Sequence, residues 1–286
     1  MRVGFLGPEA TFTHEAVTRL FPDETLEPFQ TIPEGVQWIQ SGRTDACLLP
    51  LENALEGSVS MTMDALIHEE LPPIRTEIVL PIRQQLMVHP LQIGNWQEVT
   101  KVFSHPHAIH QCRSLLYSQL TGAVKIETTS TAAAAKIVKE HPNRCYGAIA
   151  NQLAAAQYGL TIVKQDVQDY TSNETRFILL TNEELALQQK ADGEKTTLLV
   201  WLPTNEPGAL HKALSCFAWR NLGLSKIESR PTKTGLGSYV FLMDVTKPMD
   251  DVLLPGAIQE MESLGCTVKL LGSYPVYKVK NNIVCA

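Results

Sequence analysis

The run DYTSNETRFILL, residues 169–180, carries a polar loop directly into an apolar strand and closes the first two-thirds of the chain. Before this run, apolar stretches alternate with amphipathic helical segments, which predicts an α/β architecture. The loop combines hydroxyl, amide and guanidinium groups. Thr175 can donate or accept a hydrogen bond and Arg176 offers a fixed fork of donors, so a small anionic ligand would suit it. On this segment alone, a polar turn with Asn173 as its Asx residue is the simpler interpretation.

Hydrophobic periodicity places strands and helices on both sides of the segments that could carry chemistry. The predicted strands are Val3–Phe5, Ala46–Leu49, Ile74–Leu80, Gln85–Val88, Lys101–Ser104, Gly147–Ala150 and Phe177–Leu180. The predicted helices are Thr13–Leu20, Ile32–Ser41, Val59–His68, Pro106–Gln119, Ala132–Lys139 and Asn151–Tyr158.

A polar stretch at 182–195 reads as a linker, and a second unit follows at 196–280. Its order is strand, helix, strand, strand, helix, strand, which is the ferredoxin-like arrangement. The predicted elements are Thr197–Leu202, Pro207–Leu222, Ser225–Pro231, Ser238–Val245, Val252–Leu264 and Thr267–Leu271.

Composition excludes several classes of function. The 286 residues are 44% hydrophobic and 19% charged, with a net charge of −6, as expected for a soluble protein of two or three folded units. The acidic balance argues against nucleic acid as a partner, and no apolar run is long enough to cross a membrane. Six scattered cysteines and the absence of a signal-peptide pattern predict a reducing, cytoplasmic location.

Polar side chains gather at the carboxyl ends of the predicted strands, where open α/β sheets bind ligands. Thr11 follows the first strand, Glu52 and Asn53 follow the second, and Ser104 and Gln111 flank another strand end. Each of these polar segments at a strand end is, taken alone, explained equally well by an ordinary turn or helix cap. Thr128–Thr131 and the Thr175 loop bring the number of such segments to five. Together they predict one cleft that is rich in hydroxyl and amide groups.

Three histidines, His105, His107 and His110, invite interpretation as a metal site. No carboxylate or cysteine at ligand spacing completes it, so the sequence predicts no metal. There is also no phosphate loop and no dinucleotide fingerprint, and no cofactor is expected.

In order along the chain, four motifs resemble the signature segments of the prephenate dehydratase family: GPEATFT (7–13), PLENALEG (50–57), SHPHAIHQC (104–112) and NETRF (173–177). PGAL (207–210) and ESRP (228–231) resemble the family's ACT regulatory domain. The resemblance reaches to about Tyr277. Because no helical extension precedes Met1, it implies the monofunctional form. Ala10, Ala54 and His107 depart from the family's usual residues.

The resemblance implies a bilobal catalytic domain at 1–181, of the type seen in periplasmic binding proteins. One lobe would contain 1–76 and 173–181, and the other 77–172. Prephenate would lose carbon dioxide and water to give phenylpyruvate on the route to L-phenylalanine. Thr175 would donate to the leaving hydroxyl, and Glu52 would be the acid if burial raises its pKa, a structural carboxylate being equally compatible. The residues expected to bind and orient substrate are Thr11, Asn53, Thr76, Ser104, Gln111, Arg176 and Phe177. For Arg176, bracing the loop is favoured over pairing with substrate.

The same resemblance implies feedback inhibition by L-phenylalanine, bound where two ACT domains meet in a homodimer or homotetramer. The residues expected to bind this effector are Asn205, Pro207, Gly208, Ala209, Leu210, Glu228, Ser229 and Arg230. Two rival interpretations are a solute-binding or effector-sensing module without catalysis and a pure amino-acid sensor. The first shares the bilobal fold, whereas the second leaves the hydroxyl-rich cleft unexplained.

Overall fold

The computed structural model describes residues 1–185, 187, 189–203, 207–232, 239–250 and 252–280. Asn205, one of the expected effector-binding residues, and Cys285 lie outside the described residues, as does Ser238 at the start of a predicted strand.

Strands and helices alternate along most of the chain. The strands are β1 (Arg2–Leu6), β2 (Thr25–Phe29), β3 (Ala46–Asn53), β4 (Gly57–Ser58), β5 (Ile74–Pro81), β6 (Gln85–Val88), β7 (Lys101–Ser104), β8 (Val124–Glu127), β9 (Tyr146–Ala150), β10 (Thr161–Lys164), β11 (Glu174–Thr181), β12 (Gly193–Trp201), β13 (Leu224–Pro231), β14 (Tyr239–Val245) and β15 (Thr267–Lys278). The helices are α1 (Phe12–Leu20), α2 (Ile32–Gln40), α3 (Ser60–His68), α4 (Pro106–Gln111), α5 (Arg113–Ser118), α6 (Thr131–Glu140), α7 (Gln152–Tyr158), α8 (Ala209–Ala218) and α9 (Leu253–Ser263), with a 3-10 segment at Pro90–Glu98.

Two sheets organise the first part of the chain, as the α/β prediction requires. The first lobe contains β2, β1, β3, β11 and β5 side by side, with β4 paired to β3 as a short hairpin. The second lobe is a five-stranded sheet in the order β10, β6, β9, β7, β8. The chain passes from the first lobe to the second between β5 and β6 and returns between β10 and β11. The observed architecture is therefore bilobal.

Every strand and helix predicted for this part is present, but four additional strands, β2, β4, β8 and β10, were not predicted. β2, β8 and β10 carry polar residues at several positions, which weakens the apolar pattern of a strand. The predicted helix Pro106–Gln119 is interrupted at Cys112. The carboxylate of Asp169 accepts hydrogen bonds from the backbone amides of Arg113 and Ser114 and so begins a new helix there.

The C-terminal unit has the predicted order β12, α8, β13, β14, α9, β15. Its first strand begins at Gly193, inside the expected linker, and its last strand runs to Lys278, beyond the predicted end at Leu271. The extra length of β15 pairs in parallel with β5, so the C-terminal unit and the first lobe share one ten-stranded sheet.

A common hydrophobic core also joins these two units. Leu51 and Met63 of the first lobe belong to the same buried cluster as Leu242 and Tyr274 of the C-terminal unit. Burying one such side chain fully contributes on the order of 2 kcal/mol, so the C-terminal unit is fixed firmly against the first lobe. Among the described residues, no helix has the length and apolar character needed to cross a membrane.

Candidate active site

Thr175 lies beside Asn53 at the point where the two lobes meet. β11 and β3 run antiparallel with Thr175 opposite Asn53. The Asn53 side-chain amide donates to Thr175 Oγ1 at 2.8 Å and to Asn173 Oδ1 at 2.9 Å. Asn173 is 1% exposed and Thr175 is 9% exposed, so these bonds are largely shielded from water. The sequence motif has thus folded into a compact polar group.

The Asn53 side chain has only one orientation that fits its surroundings. Its Oδ1 accepts from the backbone amides of Leu55 and Glu56 at 3.0 and 3.1 Å, in the turn of the β3–β4 hairpin. Because backbone N–H groups can only donate, this end of the side chain must be the oxygen. The nitrogen therefore faces Asn173 and Thr175.

Gln111 extends the polar group into the second lobe. Asn173 Nδ2 donates to Gln111 Oε1 at 3.0 Å, and Gln111 Nε2 lies 3.3 Å from Glu56 Oε1 on the hairpin. Glu56 also lies 3.8 Å from His107 Nδ1. Side chains from both lobes and from the crossover between them therefore form one continuous chain of hydrogen bonds.

A second polar cluster lies on the other face of the same strands and contacts the C-terminal unit. The Arg176 guanidinium contacts three carboxylates: Glu52 at 2.7 Å, Glu77 at 2.6 Å and Asp244 of β14 at 2.5 Å. Lys195 binds Glu77 and Lys226 of β13 binds Glu52, each at 2.7 Å. These six groups carry three positive and three negative charges, so the cluster is balanced.

The cluster keeps its carboxylates ionised. Burial alone would raise the pKa of Glu52, but its hydrogen bonds and charge interactions with Lys226 and Arg176 outweigh burial and hold the pKa below its ordinary value. The same balance, with Arg176 and Lys195 as partners, lowers the pKa of Glu77. Burial would lower the pKa of Arg176, yet Asp244 and Glu77 raise it.

The structure favours the structural carboxylate of the two roles that the sequence left open for Glu52. The role of acid required a raised pKa, whereas the pKa is lowered and the carboxylate faces the C-terminal unit. Successive side chains of a strand point to opposite faces, so Glu52 and Arg176 lie away from Asn53 and Thr175. Arg176, saturated by three carboxylates, braces the strand and is not free to hold substrate.

Two other expected substrate contacts are also corrected by their positions. Phe177 is 2% exposed and packs in the core of the first lobe. Thr76 is fully buried, and its hydroxyl donates to the Pro275 carbonyl at 3.1 Å, which ties β5 to β15. Both side chains stabilise the fold and neither joins the Thr175 group.

Ser104 and Thr11 are engaged with the backbone. Ser104 is fully buried and its hydroxyl donates to the Ile149 carbonyl at 2.6 Å, linking β7 to β9. It therefore does not join the Thr175 group. Thr11 caps α1, because its Oγ1 accepts from the His14 amide at 3.3 Å and donates to the Pro8 carbonyl at 2.9 Å. Thr11 is half-buried and keeps some surface for a ligand.

The expected effector residues fall on two elements of the C-terminal unit. Pro207 and Gly208 form the turn before α8, Gly208 has a φ of +89°, and Ala209 and Leu210 open the helix. Glu228, Ser229 and Arg230 lie on the edge strand β13.

The side chains of β13 alternate between the first lobe and solvent. Ser229 is exposed, whereas Glu228 accepts a short hydrogen bond from Ser58 and pairs with Lys226 at 3.0 Å. Arg230 binds Glu228 at 2.8 Å and reaches Ser60 Oγ at 3.4 Å. Glu228 and Arg230 therefore contact the β3–β4 hairpin and the start of α3.

Sequence reasoning missed several members of both clusters. Asn173 lies two residues before Thr175 and was considered only as a turn residue. Glu77 gave a stronger signal, because an acid inside the otherwise apolar stretch Ile74–Leu80 needs a buried partner. Within the described residues, no group of three or more His, Cys, Asp or Glu side chains is arranged to hold a metal ion.

Comparisons with known proteins identify the family of the chain. The family described as prephenate dehydratase matches residues 3–185. A prephenate dehydratase of Bacillus subtilis is 50% identical, over 98% of this chain and 100% of its own length. A crystal structure of prephenate dehydratase in complex with L-Phe, from Arthrobacter aurescens, is 33% identical with a TM-score of 0.84, covering 96% of this chain and 90% of that one. A structure described as GqqA, a quorum quenching acylase, is 28% identical with a TM-score of 0.83, covering 96% and 98%. With half of its residues identical to a curated dehydratase along the entire length, the chain belongs to the prephenate dehydratase family.

Proposed function

We propose that this protein is a monofunctional prephenate dehydratase, which converts prephenate to phenylpyruvate, carbon dioxide and water on the route to L-phenylalanine. The observation that carries the proposal is the Asn53–Thr175 hydrogen bond at the junction of the lobes, in a chain of this family. The relative described as an acylase shares 28% of its residues, against 50% for the Bacillus subtilis dehydratase, and this difference favours dehydration.

The reaction needs one hydrogen-bond donor directed at the leaving oxygen. The ring carboxylate departs as carbon dioxide, its electron pair enters the ring, and the ring hydroxyl leaves and takes up a proton to form water. Thr175 Oγ1 already accepts a bond from Asn53, so its hydrogen is available for that oxygen. A threonine hydroxyl is too weak an acid to ionise near neutrality and acts as a donor or proton relay.

The amide groups are proposed to orient substrate. Gln111 and Asn53 lie on opposite lobes, so prephenate would be held across the junction by Gln111 directly and by Asn53 through Thr175, to which its amide donates. Thr11 caps the start of α1 and is only half-buried, and we propose it as a further contact to the substrate. Orientation of this kind lowers the activation barrier, because the substrate and the donor are already held in the geometry that the reaction requires. We propose the lobe division 1–76 with 173–181, and 77–172.

Inhibition by L-phenylalanine is the second part of the proposal. It is supported by the related structure that was solved with L-Phe, and by the turn at Pro207–Leu210, because the backbone amides at the start of α8 suit a carboxylate. We propose that the unit at 196–280 is an ACT domain and that Ser229 lies on its effector-binding side with Glu228 and Arg230 behind it. Substrate and effector are then prephenate and L-phenylalanine.

A homodimer or homotetramer through the ACT domains is proposed from exposed apolar residues. On the C-terminal unit these residues are Trp219, Ile227, Tyr239, Val252, Leu253, Leu264 and Leu270. Ile227 lies on β13, an edge strand that leaves backbone groups open for pairing with a second copy. Light scattering of wild type and of Ile227→Lys tests this, since the charge should lower the measured mass.

Activity is tested by incubating the purified protein with prephenate and following phenylpyruvate by its absorbance. Release of phenylpyruvate that L-phenylalanine suppresses supports both parts of the proposal. A protein that binds prephenate without turnover would be a solute-binding or sensing module instead. Incubation with an acylated quorum-sensing signal in parallel reports on the acylase alternative.

A further inference from the structure

We propose that Asn173 is a positioning residue for the dehydration: it aligns the Asn53 amide on Thr175 and connects this pair to Gln111 of the second lobe. The inference rests on the proposed function and names a residue outside the expected site. Asn173 contacts no reacting atom in this role. It acts through the direction of hydrogen bonds.

The donor and the acceptor of every hydrogen bond in this series of side chains follow from the orientation of the Asn53 amide. Two backbone amides fix the oxygen of Asn53, so its nitrogen must donate to Asn173 Oδ1 and to Thr175 Oγ1. Asn173 then presents its own nitrogen to the oxygen of Gln111. The nitrogen of Gln111 in turn faces the Glu56 carboxylate, which can only accept.

This order leaves one hydrogen without a protein acceptor. Thr175 Oγ1 accepts from Asn53, and in the part of the chain that the structure describes its hydroxyl donates to no protein atom. The hydrogen is consequently available to a ligand at this site. Without the Asn173 side chain, the Asn53 nitrogen would keep Thr175 Oγ1 and the more distant Glu174 carbonyl, at 3.4 Å, as acceptors, and its direction toward Thr175 would be less well fixed.

The backbone holds Asn173 where it can do this. Its carbonyl accepts from the Ile82 amide at 2.8 Å, which joins the two crossovers between the lobes. Its side chain is 1% exposed and bonds a residue of each lobe. Asn173 therefore lies at the crossover and is hydrogen-bonded to both lobes.

A double-mutant cycle on the full-length protein tests the inference, with kcat for prephenate as the readout. Asn173→Ala should lower kcat by roughly tenfold to a hundredfold in the wild-type background, the scale of a misplaced catalytic group. In the Thr175→Ala background the same change should lower kcat by less than about twofold, because the group that Asn173 positions is already gone. Equal losses in both backgrounds would overturn the inference.

Asn151→Ala is the matched control. Asn151 is also 1% exposed, caps α7 by accepting from the Ala154 amide, and contacts Glu15 of the first lobe. Its substitution should lower the thermal midpoint like Asn173→Ala and change kcat by the same factor in both backgrounds. If Asn173→Ala does not fold, the nearly isosteric Asn173→Leu, which removes the side-chain hydrogen bonds to Asn53 and Gln111, takes its place in the cycle, with the same two outcomes. A wild-type protein without turnover would overturn the proposed function and this inference together, whereas turnover with additive losses overturns only the role of Asn173.

Discussion

Neighbouring residues on β3 and β11 have different roles because their side chains alternate between two faces. Asn53 and Thr175 form an uncharged hydrogen-bonded pair at the lobe junction, whereas Glu52 and Arg176 form ion pairs against the C-terminal unit. An uncharged donor suits a dianionic substrate that must release hydroxide, and the ion pairs hold the strands that carry it. The charges therefore fix the strands, and the donor is left for chemistry.

The first prediction concerns the Thr175 hydroxyl. Thr175→Ala should lower kcat by at least about a hundredfold, since the donor to the leaving oxygen is removed. Thr175→Ser, which keeps the hydroxyl, should retain more activity. The free energy of unfolding should change little, because Asn53 keeps its bond to Asn173. Steady-state kinetics and urea unfolding of both variants measure these effects, and near-wild-type turnover of Thr175→Ala would remove the hydroxyl from the mechanism.

The second prediction concerns pH and Glu77. Its pKa is lower in the folded protein than in the unfolded chain, because Arg176 and Lys195 outweigh burial. The resulting stability is present above the ordinary Glu pKa of about 4.3 and is lost as the pH falls through the lower folded value. The free energy of unfolding should therefore decrease as the protein is acidified below about pH 4.3.

Glu77→Gln isolates this contribution. At neutral pH the variant should be less stable by about 3 kcal/mol, because two buried cations lose a partner. Its stability should also depend less on acid than that of the wild type. Urea titrations at several pH values compare the two proteins, and parallel pH profiles would show that Glu77 does not contribute as described.

At the scale of elements, most strands and helices could be predicted, but the strands β2, β4, β8 and β10 and the extensions of the predicted strands could not. The apolar stretches of β3, β5 and β11 are bounded by polar residues and gave clear signals. The added length of β15 depends on pairing with β5, which is distant in the sequence and leaves no local pattern. The break at Cys112 likewise depends on Asp169, which reaches α5 from the far crossover.

The candidate site shows the same limit. Thr175, Asn53 and Gln111 could be singled out as candidates because the motifs that contain them lie at strand ends. The roles of Glu52 and Phe177 were misjudged because proximity in sequence was taken for proximity in space. Strand alternation sends Glu52 to the opposite face from Asn53, and Phe177 continues into the core. Asp244 and Lys226, which decide the charge state of the cluster, come from another unit of the chain.

The third prediction tests the junction between β15 and β5. Gly272 lies so close to the Ile74 backbone that an added Cβ would meet the Ile74 carbonyl oxygen at 2.2 Å. Gly272→Ala must therefore push the strands apart, and it should lower the free energy of unfolding by about 2 kcal/mol or more. Gly193→Ala on β12 is the control, because its Cβ meets nothing within 4 Å. Chemical unfolding should show little loss for the control, and equal losses would contradict the close approach.

At the scale of the whole molecule, β13 connects the proposed effector site to the active site. Lys226 of β13 contacts Glu52 at 2.7 Å and Ser58 at 2.8 Å, both on the β3–β4 hairpin that carries Asn53. A shift of β13 on effector binding would move this hairpin and with it the donor pair. An effector produces such a change only if it binds one arrangement more tightly than the other.

The fourth prediction separates effector binding from its transmission. Gly208→Val places a β-branched residue at a φ of +89°, so the turn before α8 must rearrange. Lys226→Met leaves that turn intact and removes the charge that joins β13 to the hairpin, while Glu52 keeps Arg176 as a partner. Both variants should therefore interrupt the route from the proposed effector site to the β3–β4 hairpin. Gly208→Val acts at effector binding, and Lys226→Met acts at the contact between β13 and the hairpin.

Calorimetric titration of L-phenylalanine measures effector binding, and inhibition of prephenate turnover measures its transmission to the active site. For Gly208→Val, binding and inhibition should both weaken by about tenfold or more, within the range of allosteric coupling, and the uninhibited rate should stay near the wild-type value. For Lys226→Met, L-phenylalanine should still bind but inhibit less at saturation, because occupancy no longer moves the hairpin. Full inhibition of Lys226→Met would mean that the signal reaches Asn53 by another contact, such as the Arg176–Asp244 pair, since that pair also joins the C-terminal unit to β11.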